Sequence, residues 1–136
     1  MERRLLWGEA LDMIRERPWL GFGPNTYSKM EPLYKSKKIY TDNQYAHNSY
    51  LQMAAETGLL GILSFLSLVG YAWTVCYAAF RRSGPSFLSS AGMALNFGLL
   101  AFLIHSVIDT NLQSLLLVNT LWLALGMAWA AKRLIG

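Results

Sequence analysis

Residues 59–80 read LLGILSFLSLVGYAWTVCYAAF and carry no charged side chain. At about 1.5 Å per residue, a helix of this length would extend for about 33 Å, enough to cross the hydrocarbon core of a bilayer. Two further apolar segments follow, at about 87–108 and 112–131. The sequence therefore predicts an all-α membrane protein in which a polar region, residues 1–56, precedes three transmembrane helices within residues 57–136.

The charged residues are unevenly distributed. Residues 1–56 carry eight basic and seven acidic side chains, whereas residues 57–136 carry four basic and one acidic. The pairs Arg81-Arg82 and Lys132-Arg133 directly follow apolar segments, where positive residues mark the cytoplasmic face of a membrane. These pairs explain the net positive charge without nucleic acid, which we do not expect as a partner. They also place residues 1–56 on the opposite, extracytoplasmic side.

The first twenty residues lack the apolar core of a signal peptide, because Glu9, Asp12 and Arg15 interrupt it. A charged region at an extracytoplasmic position needs a preceding membrane segment to carry it across. We therefore expect this chain to be the C-terminal part of a longer polytopic protein. The single cysteine, Cys76, lies in the first apolar segment, so no intrachain disulfide is expected, and the histidines show no metal-site spacing.

The polar region contains a predicted amphipathic helix, a corner and the start of a second helix. Its apolar residues recur at helical spacing up to Pro18, and Trp7 is expected to anchor this helix on the membrane surface. Residues 18–25 form a turn-rich corner. A capping box of Thr41 and Gln44 is expected to begin the next helix, which would hold His47 in its first turns. The apolar positions of the first helix are Leu6, Trp7, Ala10, Leu11 and Ile14.

The second helix of the polar region concentrates the polar side chains. Asn48, Gln52 and Glu56 are spaced by four and share one helix face. Gly58 and Gly61 follow them and permit close approach of another helix. Polar groups placed where a helix enters a membrane are a functional-site hypothesis by default.

Four motifs follow one another along the chain: Arg3-x-x-x-Trp7-x-x-Ala10, Pro18-x-x-Gly21-x-Gly23, His47-Asn48-x-Tyr50-Leu51-Gln52-x-x-x-Glu56-x-Gly58-x-x-Gly61 and His105-x-x-x-Asp109. In this order they resemble the C-terminal half of the O-antigen ligase/polymerase family. Members of this family are bacterial inner-membrane glycosyltransferases with many transmembrane helices and one large periplasmic loop. The resemblance covers nearly the whole chain, and its most specific part is the block from His47 to Gly61.

The resemblance implies a metal-independent transfer of glycan from an undecaprenyl-diphosphate donor to an acceptor hydroxyl, without a cofactor. The acceptor would be a lipid A core sugar in a ligase, or another lipid-linked repeat unit in a polymerase. His47 corresponds to the base that activates the acceptor. Arg3, with Arg4 as a rival, would bind the donor diphosphate. The chain would lie in the inner (cytoplasmic) membrane, with residues 1–56 facing the periplasm or cell exterior.

Each candidate residue also has a structural interpretation. His47 alone fits an interfacial, hydrogen-bonded histidine as well as a base, and Arg3 alone fits a snorkelling cation. Glu56 is expected to be a structural carboxylate at the helix entry, bonded to loop amides, with acid catalysis as the less favoured alternative. Asn48 and Tyr50 are candidates for substrate binding, although aromatic residues are common near membrane interfaces.

The remaining candidates are supporting residues. His105 and Asp109, one helical turn apart, are expected to cap the outer end of the second span, with a hydrogen bond that supports the site as a minor alternative. Gly21, Gly23 and Gly58 are structural candidates. A non-enzymatic membrane scaffold or assembly subunit, whose polar loop binds a partner, is the alternative function. A transporter segment is less favoured, because the spans contain no charged relay.

Overall fold

The computed structural model describes residues 2–34 and 45–135, and every regular element among them is helical. The prediction of an all-α protein is confirmed. By length and composition three helices, Ser49–Arg82, Phe87–His105 and Leu115–Leu134, can each cross a membrane, which fits a multi-pass membrane protein. The elements are α1 (Glu2–Glu16), α2 (Tyr27–Tyr34), α3 (Ser49–Arg82), α4 (Phe87–His105), a short 3₁₀ turn (Asn111–Gln113) and α5 (Leu115–Ile135).

The chain divides into two compact units. We call Met1–Ser64 with Ser106–Asn111 the polar unit, and Phe65–His105 with Leu112–Gly136 the apolar unit. Helix α3 contributes residues to both. The candidate site residues lie in the polar unit, apart from His105, which is the last residue of α4.

Helices α3 and α4 approach each other closely in the apolar unit, whose core also includes α5. A Cβ atom on Gly92 would lie 2.5 Å from the Cys76 carbonyl oxygen, so only glycine permits this approach. The buried side chain of Asn96 donates to the Trp73 carbonyl and accepts from the Tyr77 N–H, each at 3.3 Å. Small residues and interhelical hydrogen bonds are the main sources of helix association in lipid, where apolar burial contributes little.

In the polar unit, α1 packs against α2 through a face that the sequence predicted only in part. Ala10 and Met13 are buried in one cluster with Tyr27 of α2. Leu11 was expected on the apolar face, yet it is 41% exposed. The indole nitrogen of Trp7 is buried, although the residue as a whole is half-buried, and its role as a membrane-surface anchor stays a prediction.

Helix α3 is interrupted at Gly58, which has φ 70° and ψ −174°. In an unbroken helix, the N–H groups of residues 59 and 60 would donate to the carbonyls of residues 55 and 56. Here Leu59 N–H donates instead to Pro18 O at 2.7 Å, and Leu60 N–H donates to Trp19 O at 3.4 Å. The interruption therefore transfers two helix donors to the corner formed by residues 18–25.

The corner also supplies new hydrogen-bond donors for the two α3 carbonyls that the interruption leaves unpaired. Phe22 N–H donates to Ala55 O at 3.0 Å, and Gly23 N–H donates to Glu56 O at 2.8 Å. The corner is thus inserted into the backbone ladder of α3, and the four groups that the interruption exposes are all paired. An apolar environment demands this pairing, because an unsatisfied backbone group there costs several kcal/mol (about 2–7 for an amide).

Two glycines make this insertion possible. A Cβ atom on Gly58 would lie 2.2 Å from the carbonyl carbon and oxygen of Trp19, and one on Gly21 would lie 2.5 Å from those of Glu56. Gly21 also has a positive φ, of 63°. The close neighbour of Gly58 is therefore backbone of the corner, where the sequence predicted an approaching helix.

Several predicted boundaries differ from the observed ones. Helix α3 begins at Ser49, ten residues before the predicted span at 59–80, and α4 ends at His105 where the prediction extended to 108. Helix α5 begins at Leu115. The predicted capping box of Thr41 and Gln44 lies outside the described residues.

Candidate active site

His47 occupies the turn immediately before α3. Its φ of 49° is left-handed, a conformation that few non-glycine residues adopt. The prediction that His47 lies in the first turns of a helix is wrong, because α3 begins two residues later. The left-handed turn presents the imidazole beside the helix end, and the side chain is 40% exposed.

Asn48 is the N-cap residue of α3. Its Oδ1 atom accepts hydrogen bonds from the N–H groups of Tyr50 and Leu51, each at 3.0 Å. Asparagine is among the best N-cap residues because its side chain satisfies amides that the helix leaves unpaired. Asn48 is buried, so its side chain holds the turn that carries His47.

A second segment, Ser106–Asn111, is bonded to the same end of α3. Ser49 N–H donates to Ser106 O at 2.9 Å and to Asp109 O at 3.1 Å, and the Ser49 hydroxyl donates to Asp109 O at 2.9 Å. The amide of Asn111 donates to the Ser106 hydroxyl at 3.0 Å, which closes the turn. These bonds fix the backbone of Asp109 next to Ser49, the first residue of α3.

The consequence is a histidine–carboxylate pair. Nδ1 of His47 lies 3.6 Å from Oδ1 of Asp109, whose side chain is 52% exposed. Asp109 lies beyond the last residue of α4, and its carboxylate faces His47. A carboxylate at Nδ1 favours the imidazole tautomer with its proton on that atom, which leaves Nε2 free to accept another proton. A distance slightly longer than a hydrogen bond is common for catalytic pairs without substrate.

Glu56 holds the corner from within α3. Its buried carboxylate accepts hydrogen bonds from Asn25 N–H at 2.9 Å, from Tyr27 N–H at 3.2 Å and from Gln52 Nε2 at 3.4 Å. The Tyr27 amide is at the N-terminus of α2, where a negative charge is favourable. Glu56 therefore bonds loop amides and joins α2 to α3.

Tyr27 lies at the centre of this unit and is fully buried. Burial raises the pKa of its phenol above the ordinary range, and the nearby carboxylates of Glu9, Glu31 and Glu56 raise it further. Tyr27 therefore stays protonated and contributes packing to the site. Glu9, like Tyr27, is buried.

The two candidate phosphate-binding residues lie on α1. Arg3 and Arg4 are both exposed, and within residues 2–34 and 45–135 neither makes an ion pair or a hydrogen bond. The structure shows no contact of either arginine with His47. Tyr50 lies on the first turn of α3 and is half-buried.

Comparison with known proteins bears on the same part of the chain. Residues 1–66 match the family model described as O-Antigen ligase. The resemblance to the O-antigen ligase family is thus confirmed. The matched residues include His47 and Glu56, and they end before Asp109.

A relative from Rickettsia bellii (strain RML369-C), named "Putative polysaccharide ligase", is 33% identical to this chain over 73 residues. The aligned region covers 49% of this chain and 18% of the relative. The chain therefore spans only a small part of the length of that relative.

Sequence reasoning missed two parts of the site. It did not pair Asp109 with His47, because the bonds that bring them together are made by the backbone carbonyls of Ser106 and Asp109, which leave no sequence signature. It also did not predict that Ser49 would be hydrogen-bonded to the segment Ser106–Asn111. The nearest available signal was that Asp109 is the only acidic residue after Glu56.

Proposed function

We propose that this chain forms part of an enzyme that transfers a glycan from an undecaprenyl-diphosphate donor to an acceptor hydroxyl, as an O-antigen ligase or a related polymerase. The observation that carries the proposal is the His47–Asp109 pair, located beside a segment that matches the O-antigen ligase family. The membrane would be the bacterial inner membrane, with the polar unit facing the periplasm or cell exterior.

In the proposed reaction, His47 is the general base. The acceptor hydroxyl oxygen forms a bond to the anomeric carbon of the donor sugar as the bond from that carbon to the diphosphate oxygen breaks. Nε2 of His47 takes the hydroxyl proton, and undecaprenyl diphosphate leaves with the bonding electron pair. General-base assistance of this kind typically contributes about 10²–10⁴-fold in rate.

Asp109 has the role of a positioning residue. Its carboxylate holds the ring through Nδ1 and stabilises the imidazolium that forms when Nε2 is protonated. Asn48 caps α3 and thereby supports the same arrangement. We therefore propose that Asn48 positions His47, instead of the substrate contact that the sequence suggested. Tyr50 keeps its proposed contact with substrate sugars, since it is only half-buried.

Arg3 and Arg4 are the proposed ligands of the donor diphosphate. A guanidinium group is permanently charged and can bond two phosphate oxygens at once, which suits a leaving group that gathers negative charge. Both arginines are exposed and without an ionic partner among the described residues. We propose that this charge takes the place of a metal ion, so that a chelator of divalent ions leaves the transfer rate unchanged.

The test is substitution of His47 in the full-length polypeptide that contains this chain. His47→Ala and His47→Asn should both abolish glycan transfer while the protein remains at normal abundance in the membrane. Lys29→Ala, which removes an exposed positive charge from α2, is the matched control and should retain activity.

Normal glycan product from both His47 variants would overturn the proposal and favour a scaffold whose polar unit binds a partner. Loss of product with normal abundance for His47→Ala, together with full activity of Lys29→Ala, would support it. Measurement of product and abundance in the same membranes separates these outcomes.

A further inference from the structure

The corner presents its two largest apolar side chains outward. Trp19 is 63% exposed and Leu20 is 74% exposed, although each is adjacent to backbone that is tightly bonded to α3. A long-lived exposure of tryptophan beside leucine is unfavourable in water, since each side chain contributes about 1.5–3 kcal/mol when buried. These two side chains need an apolar or amphipathic neighbour.

The position of the corner identifies that neighbour. Trp19 O accepts a hydrogen bond from Leu60 N–H, and Pro18 O accepts one from Leu59 N–H. Leu59 and Leu60 begin the uncharged run of α3, which is one of the helices able to span a membrane. The corner is therefore attached at the level where the apolar part of α3 starts.

Exposed apolar residues of α3 begin where the corner is attached. Leu59, Leu60 and Leu63 are 38%, 51% and 58% exposed, and all belong to the polar unit together with Trp19 and Leu20. A helix able to span a membrane presents such a surface to lipid. Tryptophan is enriched at this level because its ring prefers the boundary between headgroups and acyl chains.

We propose that Trp19 and Leu20 insert into the extracytoplasmic headgroup boundary of the bilayer and anchor the polar unit there. Trp7, which the sequence suggested for this role, has a buried indole nitrogen, whereas Trp19 is 63% exposed. The anchor acts through the corner, whose backbone bonds to Ala55 and Glu56 connect it to the first part of α3. This proposal does not depend on the chemistry of His47.

Fluorescence quenching tests the proposal on the full chain in nanodiscs of dioleoylphosphatidylcholine. A variant with Trp19 as its only tryptophan (Trp7, Trp73, Trp122 and Trp129 replaced by Phe) should emit at short wavelength. It should lose most of its emission when the lipid is replaced by an analogue brominated close to the headgroup, and lose little to aqueous iodide. A Trp7-only variant is the matched control and should lose little emission to either quencher.

Two results would overturn the proposal. Strong quenching of Trp19 by iodide, without quenching by the brominated lipid, would place the corner in water. Protection from both quenchers would mean that another protein segment covers it. If the four substitutions impair folding, the difference in emission between the unmodified chain and Trp19→Phe, measured with each quencher, gives the same answer with a single change.

Discussion

Nδ1 of His47 and Oδ1 of Asp109 lie 3.6 Å apart, although one precedes α3 and the other follows α4. Both side chains are about half exposed, so their attraction is weakened by water and contributes little to the free energy of unfolding. The proximity is instead produced by the three hydrogen bonds that Ser49 donates to the carbonyls of Ser106 and Asp109. The pair is better suited to orienting a ring than to stabilising a fold.

The first prediction concerns Asp109→Asn. The amide keeps the shape of the side chain but cannot stabilise a protonated imidazole, so kcat should fall by about tenfold or more, equivalent to about 1.4 kcal/mol or more of lost transition-state stabilisation. KM for the glycan donor and the free energy of unfolding should stay unchanged. Steady-state kinetics and thermal unfolding of the purified full-length protein measure these quantities.

Asp12→Asn is the control for this substitution. Asp12 is an exposed carboxylate paired with Arg15 on α1, and its loss should change neither kcat nor stability. Equal activity of Asp109→Asn and the unmodified enzyme would remove Asp109 from the mechanism.

The second prediction concerns Gly58→Ala. The positive φ alone costs about 1–2 kcal/mol for a residue with a Cβ atom, and the added methyl group would collide with backbone of Trp19. We expect a loss of at least about 2 kcal/mol in the free energy of unfolding, measured in mixed micelles.

Gly70→Ala in the same helix is the comparison. No atom lies within 4 Å of a Cβ placed on Gly70, so this change should be neutral or stabilising by up to about 1 kcal/mol. Equal stabilities of the two variants would contradict the insertion of the corner into α3.

The third prediction concerns Glu56→Gln. The buried carboxylate accepts three hydrogen bonds, and a neutral amide replaces one of its acceptor oxygens with a donor. Hydrogen exchange at the Asn25 and Tyr27 amides should accelerate, and stability should fall by about 1.5–3 kcal/mol. Unchanged protection of both amides would show that Glu56 does not hold the corner. Asp12→Asn again serves as the surface control.

The fourth prediction concerns Asn96→Leu. Its amide bridges two backbone groups of α3, and interhelical hydrogen bonds in membrane proteins contribute about 0.6–2 kcal/mol each. The substitution should lower the stability of the apolar unit by about 1 kcal/mol, as measured by unfolding in mixed micelles. Asn119→Leu, at an exposed position of α5, should leave stability unchanged or raise it. A larger loss of stability for Asn119→Leu than for Asn96→Leu would exclude the bridge between Asn96 and α3.

The helical class and the three apolar segments follow from the sequence, because long uncharged runs have one stable conformation in lipid. Asn48, Gln52 and Glu56 were expected on one helix face. In the structure Asn48 caps that helix, while Gln52 and Glu56 are bonded side by side within it.

The arrangement of the corner did not follow from the sequence. Its contacts with α3 are made by backbone atoms, which every residue carries, so no side-chain pattern identifies the partner. Gly21 and Gly58 are the residues whose type is consistent with this contact between the corner and α3. A glycine near a membrane helix is, however, equally consistent with close packing against another helix. The left-handed conformation of His47 also could not be predicted from the sequence, since few non-glycine residues adopt it.

The exchanged backbone bonds at Gly58 have a consequence for biogenesis. When the apolar part of α3 enters the membrane, Leu59 and Leu60 have no helix acceptors of their own and must wait for Pro18 and Trp19. Completion of the backbone bonding of this helix therefore requires that the preceding corner has already folded back onto it. Folding of the polar region and maturation of α3 are thus one coupled event, and a defect in either should expose the polypeptide to membrane quality-control proteases.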